Sequence, residues 1–177
     1  MTSENVIIIK APSSKSLSHR ALIAGALSEG TTVVLDPLDS NDINRTMDCL
    51  TTMGAKFNID GTATTVTGMD GGPKGGVKEP AVLEMRDSGT TCRLITALAG
   101  AGKGLFRVQG TPRMHDRPIG ALTSALESQG TKVTFSDKNG YPPVTLEAFG
   151  FKGKQMDISL EESSQYLSGL LLGAPLA

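Results

Sequence analysis

Apolar and polar positions along the chain follow the periods of strands and helices in alternation. Residues 6–10 are rich in β-branched side chains and predict a strand. A helix that Ser14 or Ser16 can cap follows, and its middle, residues 21–27, is apolar on every side, which is typical of an interior helix. After a strand at TTVVLDP, an amphipathic helix is predicted to end at Gly54. The chain therefore opens with the order β-α-β-α.

The same order of elements returns in the second half of the chain. AVLEM predicts a strand, Gly89 begins a second apolar helix, and GLFRVQ predicts the next strand. The dipeptides at 60–61 and 139–140 each mark a hairpin. Four positions recur at a constant spacing of 76 residues: Ile43, Leu50, Gly54 and Lys56 correspond to Ile119, Leu126, Gly130 and Lys132. A repeat of this length indicates stacked structural units.

We therefore predict an α/β fold of repeated β-α-β-α-β-β units, with the sheets outside and the apolar helices inside. The predicted divisions are 1–13 for the first strand, 14–80 for the first unit, 81–152 for the second unit and 153–177 for the start of a third. The glycine-rich stretch 68–80 is expected to be a flexible connector. The third unit is predicted to open with a strand over 154–160 and to be incomplete, because the sequence stops within its first helix.

Composition narrows the classes of function. The net charge is −1, and the chain has no Trp and only two Tyr, which argues against a general nucleic-acid-binding protein. The sequence shows neither a signal-peptide pattern nor an apolar run long enough for a membrane span. Cys49 and Cys92 are predicted to be free thiols, which favours the cytoplasm, and no Cys/His cluster has zinc spacing. We expect no metal, no cofactor, no nucleic-acid partner and no membrane partner.

Polar residues gather where the apolar helices begin. A helix start presents free backbone N–H groups and the positive end of the helix dipole, so hydroxyls and cations beside it make a site for an anion. If the units pack side by side, three such starts face one cleft. The residues at the three starts are Lys15, Ser16 and Arg20; Asp87, Ser88, Gly89, Thr90, Thr91 and Arg93; and Ser163, Ser164 and Gln165.

Each of these residues also has an ordinary structural explanation. Serine and threonine at helix starts are commonly caps, and a lysine there is commonly a solvated surface charge. Arg20 and Arg93 lie four or five residues into apolar helices, where a guanidinium group needs either an internal carboxylate or a ligand phosphate. In the loop TPRMHDRP, either Asp116 pairs with Arg113 or Arg117 and holds the loop, or Arg113 reaches a ligand carboxylate or phosphate. The spacing does not decide between these.

Four segments resemble the enolpyruvyl transferase family. They read PSSKSLSHRALIAGALSEGTT, DSGTTCRLITALAG, GTPRMHDRPIG and SSQYLSGLLLGAPLA, and they follow the family's order and near-family spacing from about residue 8 to the last residue. The resemblance implies part of one lobe of an enzyme with two inside-out lobes, whose first strand crosses to the other lobe. It also implies the branch that transfers the enolpyruvyl group of phosphoenolpyruvate to the 5-hydroxyl of shikimate 3-phosphate, in aromatic amino acid biosynthesis.

The resemblance also implies roles for residues. Shikimate 3-phosphate is expected to contact Lys15, Ser16, Arg20, Ser163, Ser164 and Gln165. Phosphoenolpyruvate is expected to contact Lys15, Gly89, Thr90, Arg113 and Gln165. Arg93 would support the site, while Asp87 stands where the family often has Asn, which leaves its role open.

The family's principal acid–base residues lie in the other lobe, so this sequence offers no assignable catalytic residue, and Lys15 is the closest candidate. Catalysis needs groups on both sides of the reacting centre. The isolated chain is therefore expected to be inactive, with the missing C-terminal portion of the enzyme as its partner.

Two other functions stay open. The sister transferase that acts on UDP-N-acetylglucosamine usually has Lys-Asn where this chain has Lys15-Ser16, and it usually has a reactive Cys in the loop that corresponds to 111–118, where this chain has none. A non-catalytic module that binds an anionic metabolite is also compatible with the sequence.

Overall fold

The structure, a computed structural model, describes residues 12–177, so the strand predicted over 6–10 lies outside the described residues. The first unit holds two helices and three strands: α1 (Lys15–Leu27), β1 (Thr31–Leu35), α2 (Asn41–Met53), β2 (Lys56–Asp60) and β3 (Ala63–Thr67). Its strands form an antiparallel sheet in the order β1-β3-β2. The hairpin predicted at 60–61 is confirmed as the turn between β2 and β3.

Local hydrogen bonds set the helix boundaries of this unit. Ser14 Oγ accepts a hydrogen bond from the Leu17 amide at 3.4 Å and caps α1, and Ser40 caps α2 in the same way. Gly54 ends α2 in the left-handed conformation, with φ 119°, which favours glycine because it has no β-carbon. The predicted cap at Ser14 and the predicted helix end at Gly54 are confirmed.

The second unit repeats this plan with one more strand. Its elements are β4 (Ala81–Glu84), α3 (Gly89–Ala101), β5 (Lys103–Gln109), α4 (Pro112–His115), α5 (Gly120–Ser128), β6 (Lys132–Phe135) and β7 (Val144–Phe149). After them come α6 (Gln165–Gly173) and a 3₁₀ turn (Ala174–Leu176). The sheet order is β4-β5-β7-β6, with β4 parallel to β5 and the other pairs antiparallel. The order β5-β7-β6 repeats β1-β3-β2, and β4 has no equivalent among the described strands of the first sheet.

The apolar helix α3 forms the centre of the core. Nearly all of its residues are buried, and it packs against α6, α2 and β7. This burial confirms the prediction of an apolar interior helix. Helix α1 differs, because Leu22 and Ile23 are fully buried while Ala24 is exposed. The prediction that the middle of α1 is enclosed on every side is therefore wrong for the part of the chain that the structure describes.

The glycine-rich connector, residues 68–80, is held against the start of β5. The Gly75 amide donates to the Lys103 carbonyl at 2.7 Å, and Gly76 and Leu105 exchange backbone hydrogen bonds. A β-carbon on Gly75 would lie 2.7 Å from the Leu105 carbonyl oxygen, so this approach requires glycine. The prediction of a flexible connector is wrong here, because these glycines permit close backbone pairing.

The strand predicted over 154–160 is also wrong, since these residues form no strand in the structure. The buried side chain of Gln129 makes hydrogen bonds with backbone groups at the start of this segment. Its Oε1 accepts from the Lys152 amide and its Nε2 donates to the Lys154 carbonyl, each at 3.2 Å. Backbone groups in this segment are thus partly satisfied by one side chain.

Gly169 allows α6 to lie directly on α3. A β-carbon on Gly169 would stand 2.7 Å from the Ala97 β-carbon and 3.2 Å from the Leu94 α-carbon. We expect Gly169→Ala to lower the free energy of unfolding by about 1 kcal/mol or more, because the helices must separate. Gly120→Ala is the matched control, since its β-carbon would make only ordinary contacts, the nearest at 3.4 Å. Urea unfolding checks this prediction, and equal stability of the two variants would contradict it.

Candidate anion-binding site

Two cations near the start of α1 connect it to α2 and α6. The Lys15 ammonium forms an ion pair with the Asp42 carboxylate in the first turn of α2. Further along α1, Arg20 donates a hydrogen bond to Ser168 Oγ of α6 at 3.3 Å. The carbonyl of Ser16 accepts a second hydrogen bond from Arg20, and the Ser16 side chain is exposed. The start of α1 is therefore joined to the starts of two other helices.

Gln165, the first residue of α6, joins that helix to the start of α3. Its Nε2 donates to Thr90 Oγ1 at 3.1 Å, and its Oε1 accepts from Arg93 Nη1 at 3.0 Å. Ser163 Oγ accepts from the Gln165 amide at 3.2 Å, while Ser164 is exposed. Because both side-chain bonds cross between the helices, the starts of α3 and α6 lie side by side.

The guanidinium group of Arg93 has no carboxylate at ion-pair distance in the part of the chain described. Its partners are the neutral Gln165 amide and the ring of Tyr166, whose centroid lies 5.9 Å away. Its Nε atom is buried without a hydrogen-bond partner within residues 12–177. The sequence left two partners open for Arg93, an internal carboxylate or a ligand phosphate. Among these residues there is no internal carboxylate at ion-pair distance from it.

A second guanidinium group, that of Arg117, lies against Gly89 at the start of α3. A β-carbon on Gly89 would overlap Arg117 Nη1 and would lie 3.4 Å from Arg93 Nη1. The two cations are therefore neighbours. Arg117, like Arg93, has no carboxylate partner among the described residues. Two like charges beside the positive end of a helix favour an anion between them.

The arginine that reaches this helix start is not the one that the resemblance indicates. Arg113 lies on the single turn of α4, is exposed, and makes no hydrogen bond or ion pair with the rest of the described chain. Arg117, four residues later, turns back to Gly89. The spacing of the two arginines in the sequence gives no indication of which one faces inward, because the path of the loop decides it.

Two side-chain hydrogen bonds help to hold the loop that carries Arg117. The Asp87 carboxylate accepts a bond from Thr111 Oγ1, so the structure places this residue in a contact with the loop. The hydroxyl of Tyr166 donates to the Pro118 carbonyl at 2.7 Å. Burial raises the pKa of Tyr166 to about 12, so its proton stays in place at neutral pH. Sequence analysis missed this tyrosine, because its role depends on a contact 48 residues away.

Other chemistry is limited in the described residues. No helix within 12–177 has the length and apolar character needed to cross a membrane. The same residues contain no group of three or more His, Cys, Asp or Glu that could hold a metal ion. Burial raises the pKa of Cys49 to about 12 and that of Cys92 to about 11, so neither is a thiolate at neutral pH.

Comparison with known proteins decides the family. The family model of EPSP synthase (3-phosphoshikimate 1-carboxyvinyltransferase) matches residues 5–177. This chain belongs to the EPSP synthase family. Relatives named 3-phosphoshikimate 1-carboxyvinyltransferase are 42% identical in Sulfurovum sp. (strain NBC37-1) and 39% identical in Marinomonas sp. (strain MWYL1), each over 171 residues and 96% of this chain. The resemblance to the enolpyruvyl transferases is thereby confirmed.

A solved EPSP synthase structure has the same fold. The enzyme from Acinetobacter baumannii is 31% identical and superposes with a TM-score of 0.81, over 96% of this chain and 38% of that one. The predicted α/β fold is confirmed by this match. The chain spans about 40% of the length of the two curated EPSP synthase relatives.

Proposed function

We propose that this chain supplies part of the substrate-binding site of an EPSP synthase. That enzyme, 3-phosphoshikimate 1-carboxyvinyltransferase, joins the enolpyruvyl group of phosphoenolpyruvate to the 5-hydroxyl of shikimate 3-phosphate and releases phosphate. Both substrates are polyanions. The observation that carries the proposal is the pair of guanidinium groups, Arg93 and Arg117, at the start of α3 with no carboxylate partner within 12–177.

Shikimate 3-phosphate is proposed to bind between α1 and α6. Arg20 joins these helices through its hydrogen bond to Ser168, so its guanidinium group is proposed to bind the phosphate between them. Exposed hydroxyls on both helices can donate hydrogen bonds to the phosphate and ring oxygens. The residues proposed for this subsite are Lys15, Ser16, Arg20, Ser163, Ser164 and Gln165.

Phosphoenolpyruvate is proposed to bind at the start of α3. The guanidinium group of Arg117 lies against Gly89 in the first turn of that helix, and Gln165 reaches the same turn through Thr90. Arg117 takes the role that the resemblance gave to Arg113, because its guanidinium group lies at Gly89. The residues proposed for this subsite are Lys15, Gly89, Thr90, Arg117 and Gln165, with Arg93 holding Gln165 from within its helix.

The proposed work of these residues is to bind and stabilise charge. In the addition step, the 5-hydroxyl oxygen bonds to C2 of phosphoenolpyruvate, C3 gains a proton and the hydroxyl loses one. In the elimination step, C3 loses a proton and the bond from C2 to the phosphate oxygen breaks. Arg117 and Lys15 stabilise the charge that gathers on the leaving phosphate. The proton transfers need groups from the rest of the enzyme, since the chain spans about 40% of its relatives.

Calorimetric titration of the 177-residue chain with shikimate 3-phosphate tests the proposal. We expect the chain to bind shikimate 3-phosphate and not to bind shikimate, which lacks the phosphate. We expect no phosphate release when phosphoenolpyruvate is added. Stronger binding of UDP-N-acetylglucosamine would instead favour the sister transferase. Adding the remaining portion of a relative should restore phosphate release, and binding without any recovery would favour a non-catalytic module. The cytoplasmic location expected from the two cysteines stays a prediction.

A further inference from the structure

A buried chain of hydrogen bonds links the first two turns of α1 and α2 to the first turn of α3. His19 Nδ1 lies 2.8 Å from Thr46 Oγ1, which lies 2.8 Å from Thr91 Oγ1. Thr91 Oγ1 also lies 2.7 Å from Ser88 Oγ and 3.1 Å from the Asp42 carbonyl oxygen. The side chains of His19, Ser88, Thr46 and Thr91 are each at most 2% exposed. Bonds this well shielded from water hold groups in fixed positions.

The contact of Thr91 Oγ1 with the Asp42 carbonyl gives the chain one consistent set of proton directions. A carbonyl oxygen only accepts, so the Thr91 hydroxyl donates its single proton to Asp42. The Thr91 oxygen then accepts from Ser88 and from Thr46. Thr46 has thus donated its only proton and must accept from His19 Nδ1. His19 is therefore the tautomer with its proton on Nδ1.

His19 is also held without charge. Burial and the neighbouring Lys15 ammonium lower its pKa to about 4; Arg20 acts in the same direction, and Asp42 opposes them. The Nε2 atom is buried and has no hydrogen-bond partner among residues 12–177. The ring therefore binds through Nδ1 alone in the described structure.

We propose that His19 is a positioning residue, which acts through Thr46 and Thr91 to set the register of α1, α2 and α3. Lys15 stands one turn before His19, and its ion-pair partner Asp42 also carries the carbonyl that ends the hydrogen-bond chain. Thr91 lies in the first turn of α3, which the proposed phosphoenolpyruvate subsite uses. This inference rests on the proposed function and adds residues that touch no substrate themselves.

The tautomer of His19 is the first test, and it needs no ligand. Long-range ¹H–¹⁵N correlation spectra of the 177-residue chain with ¹⁵N-labelled histidine report which ring nitrogen carries the proton at pH 7. The variant His115→Asn identifies the signals of His19, because the chain has two histidines. We expect the proton on Nδ1. A proton on Nε2 would reverse the hydrogen-bond chain and overturn the proposal, whatever the chain binds.

Shikimate 3-phosphate titrations of matched variants are the second test. Thr46→Val removes the hydroxyl at nearly constant shape and is expected to weaken binding about fivefold to tenfold. Thr46→Ser should restore wild-type affinity, and Thr52→Val, on the exposed side of α2, should leave it unchanged. His19→Asn places an amide nitrogen near the Nδ1 position and should retain binding, whereas His19→Gln places it near Nε2 and should weaken binding.

The outcomes separate this proposal from the proposed function. Equal affinity of Thr46→Val and Thr52→Val, or no recovery in Thr46→Ser, would overturn the positioning role. If the wild-type chain binds no shikimate 3-phosphate, the proposed function fails. The positioning role is then tested by the amide resonances, which report whether α1, α2 and α3 keep their register. Shifts in the first turns of α1 and α3 in Thr46→Val, but not in Thr52→Val, would support the positioning role, and unchanged resonances would overturn it.

Discussion

Replacing Arg117 by methionine is expected to weaken phosphoenolpyruvate binding about 10- to 100-fold. The guanidinium group of Arg117 lies against Gly89 and beside Arg93, without a carboxylate partner within 12–177. A ligand carboxylate or phosphate at this position would accept two parallel hydrogen bonds from it. Methionine keeps a long apolar stem and removes the charge. NMR titration in the presence of shikimate 3-phosphate measures the dissociation constant.

Arg113→Met is the matched control for this prediction. Arg113 is exposed and its side chain makes no hydrogen bond or ion pair with the described residues, so its replacement should change affinity by less than about twofold. Arg117→Lys keeps the charge but lacks the planar fork, so we expect an intermediate loss. If the Arg113 variant lost as much affinity as the Arg117 variant, the assignment of Arg117 would be wrong.

Lowering the pH from 7 to 4 is expected to reduce the free energy of unfolding by about 3 kcal/mol through His19, with about 2 kcal/mol lost by pH 5. Burial and the Lys15 charge lower the pKa of His19 from 6.5 to about 4 in the folded chain. Between these values the unfolded chain binds a proton that the folded chain excludes. The contribution of His19 to the free energy of unfolding is therefore complete above pH 6.5 and declines as the pH falls to 4.

Urea unfolding of wild type and His19→Asn at pH 7 and pH 5 isolates this contribution, because asparagine does not titrate in this range. The wild-type chain should lose about 2 kcal/mol more than His19→Asn between these two pH values. Thr52→Val, on the exposed side of α2, serves as the control and should lose as much as wild type. The same pH dependence in wild type and His19→Asn would contradict the prediction.

Features set by neighbouring residues were predictable from the sequence. The caps at Ser14 and Ser40, the end of α2 at Gly54 and the first hairpin depend on bonds within a few residues. The repeat predicted the order of elements, because each unit uses the same local patterns. The apolar character of α3 predicted its burial, and nearly all of its residues are buried.

Features set by contacts between distant residues were not predictable. The glycines of 68–80 indicated flexibility, but they permit pairing with β5 that only the folded chain displays. The position of Arg117, and not Arg113, at Gly89 depends on the path of one loop. The exposure of Ala24 in α1 depends on which elements cover that helix, and its local sequence carries no information about this.

The proposed anion-binding site combines the starts of α1, α3 and α6. A residue-resolved NMR titration of the 177-residue chain with shikimate 3-phosphate tests this most directly. A single site predicts that the amide resonances of Ser16, Thr90 and Gln165, on three different helices, shift together with one dissociation constant. Shifts confined to one helix, or a different constant for each helix, would contradict it.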